Sequence, residues 1–231
     1  MKLKSLSEYF SKTELILWSG SALFIIISFL IFDRTNFLTL SASLIGVTSL
    51  ILNAKGNPIG QLLMIIFSIL YGIISFSFAY YGEMITYLLM TAPMALLALI
   101  SWLRHPYKGK RSQVEVGKLS KNEIWFMLIL SLAVTIVFYY ILAFFGTANL
   151  LPSTLSVTTS FIAAYLTFRR SPFFALAYAA NDIVLIVLWI LATAENISYF
   201  SVIICFVMFL LNDLYGFINW LKMQNRQKSD K

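Results

Sequence analysis

The chain of 231 residues is 60% hydrophobic and 12% charged, with a net charge of +7. A soluble domain averages about 25% charged residues, so this composition excludes a water-soluble globule. A single signal peptide does not explain the excess, because apolar runs recur along the whole chain. One cysteine, Cys205, and one histidine, His105, leave no intrachain disulfide and no Cys/His metal site. Without a phosphate loop, a dinucleotide fingerprint or a nucleophile elbow, nothing points to an ATP-driven pump or a cofactor enzyme.

Residues 1–13 put Leu3, Leu6 and Phe10 on one face and read either as an interfacial helix or as a frayed tail. A helix needs about 20 apolar residues to cross the hydrocarbon core. Eight runs meet that requirement: 15–32, 37–53, 58–80, 84–102, 124–145, 151–168, 172–193 and 197–220. The connections are mostly short, so neighbouring helices are antiparallel.

Basic residues orient the spans. With both termini in the cytoplasm of a cell-membrane protein, all 17 Lys and Arg fall on the inner side except Arg34. The largest inner group is the loop carrying Arg104, Lys108, Lys110, Arg111, Lys118 and Lys121, whose charge serves orientation. Basic charge so placed is a topology signal and not a nucleic-acid surface.

The second half echoes the first. Lys55-Gly-Asn-Pro58 opens one long span and Arg170-Ser-Pro172 another. Ser101-Trp102-Leu103 and Asn219-Trp220-Leu221 close two more. Spans 2–4 and 6–8 therefore read as two three-helix units joined by span 5, a parallel repeat of the kind transporters use. The division is 1–36 for the N-terminal segment and extra span, 37–102 for the first unit, and 103–150 for the basic loop and linker span. The second unit is 151–221 and the tail 222–231.

Charge inside a bilayer is costly and marks function. Asp182 and Asp213 lie well inside spans 7 and 8, about 15 Å and about 10 Å from the inner ends at 1.5 Å per residue. No Lys or Arg within any span could pair with them. Tyr178, Asn181, Asp182 and Trp189 share one face of span 7, and Asn212, Gly216 and Asn219 form a stripe on span 8. In the first unit, Gln61, Ser68 and Tyr71 share a face, as do Glu83, Tyr87 and Thr91. The plainer readings are that Gln61, Ser68 and Asn219 bond neighbouring helices, and that Glu83 is half solvated near an outer turn. Trp18, Trp102, Trp125 and Trp220 read as interface anchors, and Trp189 as an anchor or a site residue.

Tyr80-Tyr-Gly-Glu83, Ala92-Pro-Met94, Arg170-Ser-Pro-Phe-Phe174, Ala180-Asn-Asp182 and the run Asn212-Asp-Leu-Tyr-Gly-Phe-Ile-Asn-Trp220 resemble the PnuC-type nicotinamide riboside transporters over spans 2 to 8. The resemblance implies an all-α integral membrane fold of eight spans. Its plan is a three-plus-one-plus-three parallel-repeat bundle similar to the SWEET sugar transporters, with one extra N-terminal helix. It also implies passive uptake of a vitamin nucleoside that an intracellular kinase traps. Family members often carry tryptophans where this chain has Phe174 and Ala177, an amide where it has Ala95 and an asparagine where it has Phe67; these departures bear on the substrate. Tyr178, Tyr71 and Trp189 would supply stacking faces, Asn181 and Asn212 would read hydroxyls or a carboxamide, and Asp182 and Asp213 would offset a ring cation. Gln61, Tyr87 and Thr91 complete the candidate binding set. The expected partners are the nucleoside, the bilayer and, as an open option, further copies of the chain. Rival readings are thiamine, riboflavin or a deoxynucleoside as cargo, proton coupling through an aspartate, or a membrane enzyme or sensor.

Overall fold

The structure, a computed structural model, describes residues 9–77, 80–147, 149–194 and 196–230. Among these residues eight helices are long and apolar enough to cross a membrane. They are α1 (Lys12–Phe32), α2 (Phe37–Ala54), α3 (Pro58–Ser77), α4 (Tyr81–Arg104), α5 (Lys121–Phe144), α6 (Leu150–Phe168), α7 (Phe173–Thr193) and α8 (Phe200–Ser229). Each corresponds to one predicted span, and the chain is an all-α, multi-spanning bundle. The interfacial helix considered for 1–13 lies mostly outside the described residues. At 30 residues, α8 is about 45 Å long, so its last turns extend past a core about 30 Å thick.

Local chemistry sets the helix ends. Ser11 with Glu14 and Ser120 with Glu123 form capping boxes that start α1 and α5, each satisfying two otherwise orphaned N–H groups. The α2–α3 turn passes through Gly56 at φ 68°, a left-handed conformation that glycine adopts without cost. Pro58 then opens α3, where its missing N–H is no loss. Arg170 takes the same conformation, φ 56°, between α6 and α7, at a cost of about 1–2 kcal/mol for a side-chain-bearing residue.

Helices α2, α3 and α4 pack in succession, as do α6, α7 and α8; α8 also lies against α2, and α4 against α6. Gly216 on α8 meets the methyl groups of Ala54 and Ala175, a small-residue contact that lets three helices approach closely. The extra helix α1 covers α2 and α8, and α5 leans on α6. Only Met127, Ser131 and Leu142 of α5 are buried, so most of that helix is a lipid-facing surface.

The start of α1, the α2–α3 turn and the end of α8 meet on one side of the bundle, hereafter the termini face. There the buried Glu14 accepts from Lys55 Nζ at 2.9 Å and from the Tyr215 hydroxyl at 3.2 Å. Trp220 Nε1 donates to the Asn53 carbonyl at 2.7 Å and Asn219 Nδ2 to the Ala54 carbonyl at 2.8 Å. Trp102 Nε1 donates to the Thr167 carbonyl and Ser101 Oγ to the Phe168 carbonyl, both at 2.9 Å. Trp102 and Trp220 are therefore not interface anchors: both are fully buried, 5.4 Å apart, because their N–H groups find carbonyls at the ends of other helices. Trp18 and Trp125 are exposed, as anchors would be.

The basic loop has more structure than its charge suggested. Strands β1 (Pro106–Tyr107) and β2 (Lys110–Val114) form a hairpin. Val114 is fully buried. Its N–H donates to the Gly56 carbonyl at 2.9 Å, and the Gly117 N–H to the Arg170 carbonyl at 3.0 Å. Gln227 of α8 accepts from the Val116 N–H and donates to the Val114 carbonyl. The segment is thus a strap laid over both inter-helix turns. Outside the bilayer, Lys108 and Tyr107 bond Asp230 and hold its carboxyl below the usual carboxylate range.

Candidate functional site

The site begins with an irregularity in α4. Residues Tyr87–Thr91 form a π-turn in which the Ala92 N–H reaches the Tyr87 carbonyl five residues back. Pro93 explains it: in a regular helix its ring would collide with the carbonyl four residues earlier and its N–H would be missing. The wide turn relieves that clash, and such turns recur at functional sites. Here it brings both Tyr87 and Thr91 onto an interior cavity.

Tyr178, Asn181 and Asp182 of α7 and Asp213 of α8 reach the same cavity. Its apolar walls are Leu50, Met64, Phe67, Phe206 and Phe209, and Ser160 of α6 completes the polar side. Thr159 Oγ1 and Ser160 Oγ both donate to Asn181 Oδ1, at 2.8 and 3.0 Å. With its oxygen held there, Asn181 directs its amide N–H groups away from α6. Asp182 and Asp213 are buried, and their carboxyls lie within hydrogen-bonding reach of each other. Two carboxylates in contact and away from water do not both ionise.

Aromatic side chains close the cavity on both sides. Toward the face opposite the termini, the far face, Trp189 Nε1 donates to the Tyr71 hydroxyl at 2.7 Å. Tyr71 packs on Tyr87 with ring centroids 4.4 Å apart, and Tyr80 on Trp189 at 5.0 Å. Toward the termini face lie Trp102, Trp220 and Phe174. The free volume between these covers is about 20 Å³, room for roughly one water molecule. This is a closed conformation, and anything larger than a water molecule enters only when a cover parts.

Of the predicted binding residues, Tyr87, Thr91, Tyr178, Asn181, Asp182 and Asp213 line the cavity together. Tyr71 and Trp189 form its far-side cover. Gln61 and Asn212 point elsewhere: Gln61 Nε2 donates to Asn53 Oδ1 at 2.9 Å, and Asn212 Nδ2 to Ser21 Oγ at 2.9 Å. Both bond neighbouring helices, Asn212 reaching the extra helix α1. Ser68 is spent on the Met64 carbonyl within its own helix. Glu83, expected to be half solvated, is 1% exposed, because α4 starts at Tyr81 and tucks its first turn against α6.

Sequence reasoning missed Ser160 and the phenylalanine walls. Ser153, Ser156, Ser160 and Thr167 recur at helical spacing and are all buried, a polar stripe that could have been read. Phe67, Phe206 and Phe209 carry no such signal among 20 phenylalanines. Where relatives of the resembled family often have other residues, Phe67 lines the cavity, whereas Phe174 packs on Trp102 and Trp220. A larger cleft of about 620 Å³ opens on the termini face beside Glu14, Lys55 and Arg226. It shares no residue with the central cavity, and Glu14 there is already bonded to Lys55 and Tyr215.

Comparison with known proteins agrees with this architecture. A sequence model of the family described as nicotinamide mononucleotide transporter matches residues 36–222. A nicotinamide riboside transporter PnuC of Neisseria mucosa is 26% identical over 85% of this chain and 76% of its own length. A nicotinamide riboside transporter PnuC of Haemophilus influenzae is 24% identical over 89% of each chain. The crystal structure of a vitamin B3 transporter PnuC superposes with a TM-score of 0.82 at 23% identity, covering 96% of this chain and 99% of that one. The match over most of the chain shows that it belongs to the nicotinamide mononucleotide transporter family, whose members are membrane transport proteins.

Proposed function

We propose that this transporter is a facilitator for nicotinamide riboside or a closely similar vitamin nucleoside, with net uptake drawn by phosphorylation inside the cell. The observation that carries the reading is one buried cavity holding aromatic faces, an oriented amide and a pair of acidic side chains. A nicotinamide nucleoside offers matching chemistry: a flat cationic ring, a carboxamide and ribose hydroxyls. Tyr87, Tyr178 and Phe67 would stack on the ring, Asn181, Thr91 and Ser160 would hydrogen-bond the carboxamide or ribose, and Asp182 with Asp213 would balance the charge. Tyr71 and Trp189 would cover the bound ligand, and Gln61 and Asn212 would hold the surrounding helices. The names of the Neisseria and Haemophilus relatives support the choice of cargo.

The orientation and the repeat belong to the same proposal. The termini face carries nearly all the basic residues, which favours placing it in the cytoplasm. A three-plus-one-plus-three plan, with α1 as an addition, is supported by reciprocal bonds: Trp102 of α4 bonds the end of α6, and Trp220 of α8 bonds the end of α2. The two units would be 37–102 and 151–221, and they would rock about the cavity in alternating access.

The test is a thermal-shift panel on purified protein with nicotinamide riboside, thiamine, riboflavin and deoxynucleosides. A ligand at a hundredfold excess over its Kd stabilises by about 2.7 kcal/mol. A shift with a deoxynucleoside or riboflavin but none with nicotinamide riboside would reassign the cargo. Two buried carboxyls side by side give a second reading, a proton-coupled carrier in which the pair takes up and releases a proton. In liposomes a facilitator equilibrates its substrate whether or not a proton gradient is present, and a coupled carrier loses accumulation when the gradient is dissipated.

A further inference from the structure

Glu83 has no role in the cavity just described. It is buried, and neither of its carboxyl oxygens has a hydrogen-bond partner. The Ser156 hydroxyl of α6 faces it without closing a bond, and the buried Thr147 hydroxyl, beside neighbouring Gly82, is also without a partner. A carboxyl kept for structure alone would be saturated by donors, as Glu14 is, since an unmatched charge in a bilayer is strongly disfavoured. The position of Glu83 gives it another use. Tyr80 at the N-cap of α4, then Glu83, Tyr87 and Thr91 within it, descend from the far side: Tyr80 belongs to the aromatic cover, and Tyr87 and Thr91 line the cavity. Tyr71, which Trp189 holds, packs against Tyr87 beside it.

We propose that Glu83, with the rings of Tyr71, Tyr80 and Tyr87, forms a second cation subsite between the far-side cover and the central cavity. It would take the ligand's charged ring when the cover parts, before the ring reaches Asp182 and Asp213. A carboxylate flanked by aromatic faces is matched to a flat organic cation, which both attract. Water entering with the open cover ionises Glu83, and closure behind the ligand leaves it buried again. The inference rests on the cationic cargo proposed above and on the far face being the entry side.

The test uses the full chain and two variants, Glu83→Gln and Glu83→Asp. Ring-cation binding is read by fluorescence titration with N-methylnicotinamide, a pyridinium ion that lacks ribose. Wild type should bind it, Glu83→Gln at least 5-fold more weakly, and Glu83→Asp in between; equal binding by all three, or none by wild type, overturns the subsite. Transport is read in proteoliposomes with nicotinamide riboside and its neutral reduced form. Glu83→Gln should cut uptake of the cation at low concentration 5–30-fold, leave its equilibrium Kd within about 2-fold, and change uptake of the neutral form less than 2-fold. Equal loss for both forms would make Glu83 structural and sink the proposal. If wild type carried neither riboside while the ring cation still bound in a Glu83-dependent way, the cargo assignment would fall and the subsite would stand.

Discussion

The Trp189 indole N–H and the Tyr71 hydroxyl, 118 positions apart in the chain, meet at 2.7 Å and tie α7 to α3 above the cavity. This bond is a polar link in a cover that also holds ring contacts among Tyr71, Tyr80, Tyr87, Trp189 and Tyr199. Trp189→Phe keeps a ring and loses the donor. A cysteine at Thr91, in a Cys205→Ser background, should then react faster with an impermeant thiol reagent applied from the far side. Unchanged labelling would mean that the cover holds without this bond.

The carboxyl pair predicts an asymmetry between single and double substitutions. Because Asp182 and Asp213 do not both ionise, Asp182→Asn or Asp213→Asn leaves the remaining carboxyl free to ionise beside a ring cation, and affinity for the cation should change less than about 3-fold. The double variant removes the charge. At an effective dielectric near 20 a charge pair about 4 Å apart is worth roughly 4 kcal/mol, and screening in a wet, opening cavity should reduce this to about 1–2 kcal/mol. Calorimetry should therefore find a 5–30-fold loss for nicotinamide riboside in the double variant and little loss for its neutral reduced form. A full loss in either single variant, with folding intact, would show that both carboxyls are charged or that one contacts the ligand alone.

The strap over the termini face predicts uneven tolerance within a loop of uniform charge. Lys110→Ala and Arg111→Ala alter exposed side chains and should leave the melting temperature nearly unchanged. Val114→Asp puts an unpaired charge into the packing of Trp102, Trp220 and Met223 and should cost at least about 3 kcal/mol. Thermal unfolding in detergent reads both. A harmless Val114→Asp would mean that the strap is not part of the folded core.

Trp102→Phe and Trp220→Phe each delete one buried N–H donor, while the Thr167 and Asn53 carbonyls keep the Arg170 and Gly56 N–H groups as donors, so each should lose about 0.5–1.5 kcal/mol. The repeat proposed for the two units expects the two losses to match within about 0.5 kcal/mol, measured by the same unfolding experiment. A large effect at one position only would argue for a lopsided bundle.

Orientation has its own measurement. Single cysteines at Arg34 and Asn149 should label from outside intact cells, and those at Lys55 and Gly109 should not. External labelling at Gly109 would reverse the assignment of the termini face.

Much of this was readable before any coordinates, for a physical reason. Bilayer thickness imposes span length, so eight apolar runs stand out, and a carboxyl such as Asp182 in an apolar run is conspicuous whatever surrounds it. What a polar side chain bonds to was less readable. Gln61 and Asn181 look alike in sequence, yet one is consumed by Asn53 and the other faces the cavity, and only the rotation of α3 and α7 against their neighbours decides between them. Depth near span ends was also ambiguous. Trp220 and Trp125 both sit near the termini-face ends of their spans, but Trp220 meets α2 while Trp125 lies on lipid-facing α5. Glu83 looked solvated because a turn precedes it, and only the docking of α4 on α6 buries it. Val114 was hidden by the charges around it.

The π-turn at Tyr87–Thr91 makes α4 unusual in how it would respond to a change in length. Removing one residue from a regular helix such as α5 swings everything beyond the deletion by about 100°, turning lipid-facing side chains toward α6. The wide turn in α4 already holds one residue more than an α-helical path requires. Deleting Leu89 would let the backbone close to ordinary spacing with both flanking segments still facing their present neighbours. The damage would stay local: Pro93 would again press on a carbonyl one turn back, and Tyr87 and Thr91 would no longer converge. Such a shortened protein should insert and fold as a bundle while losing the ligand.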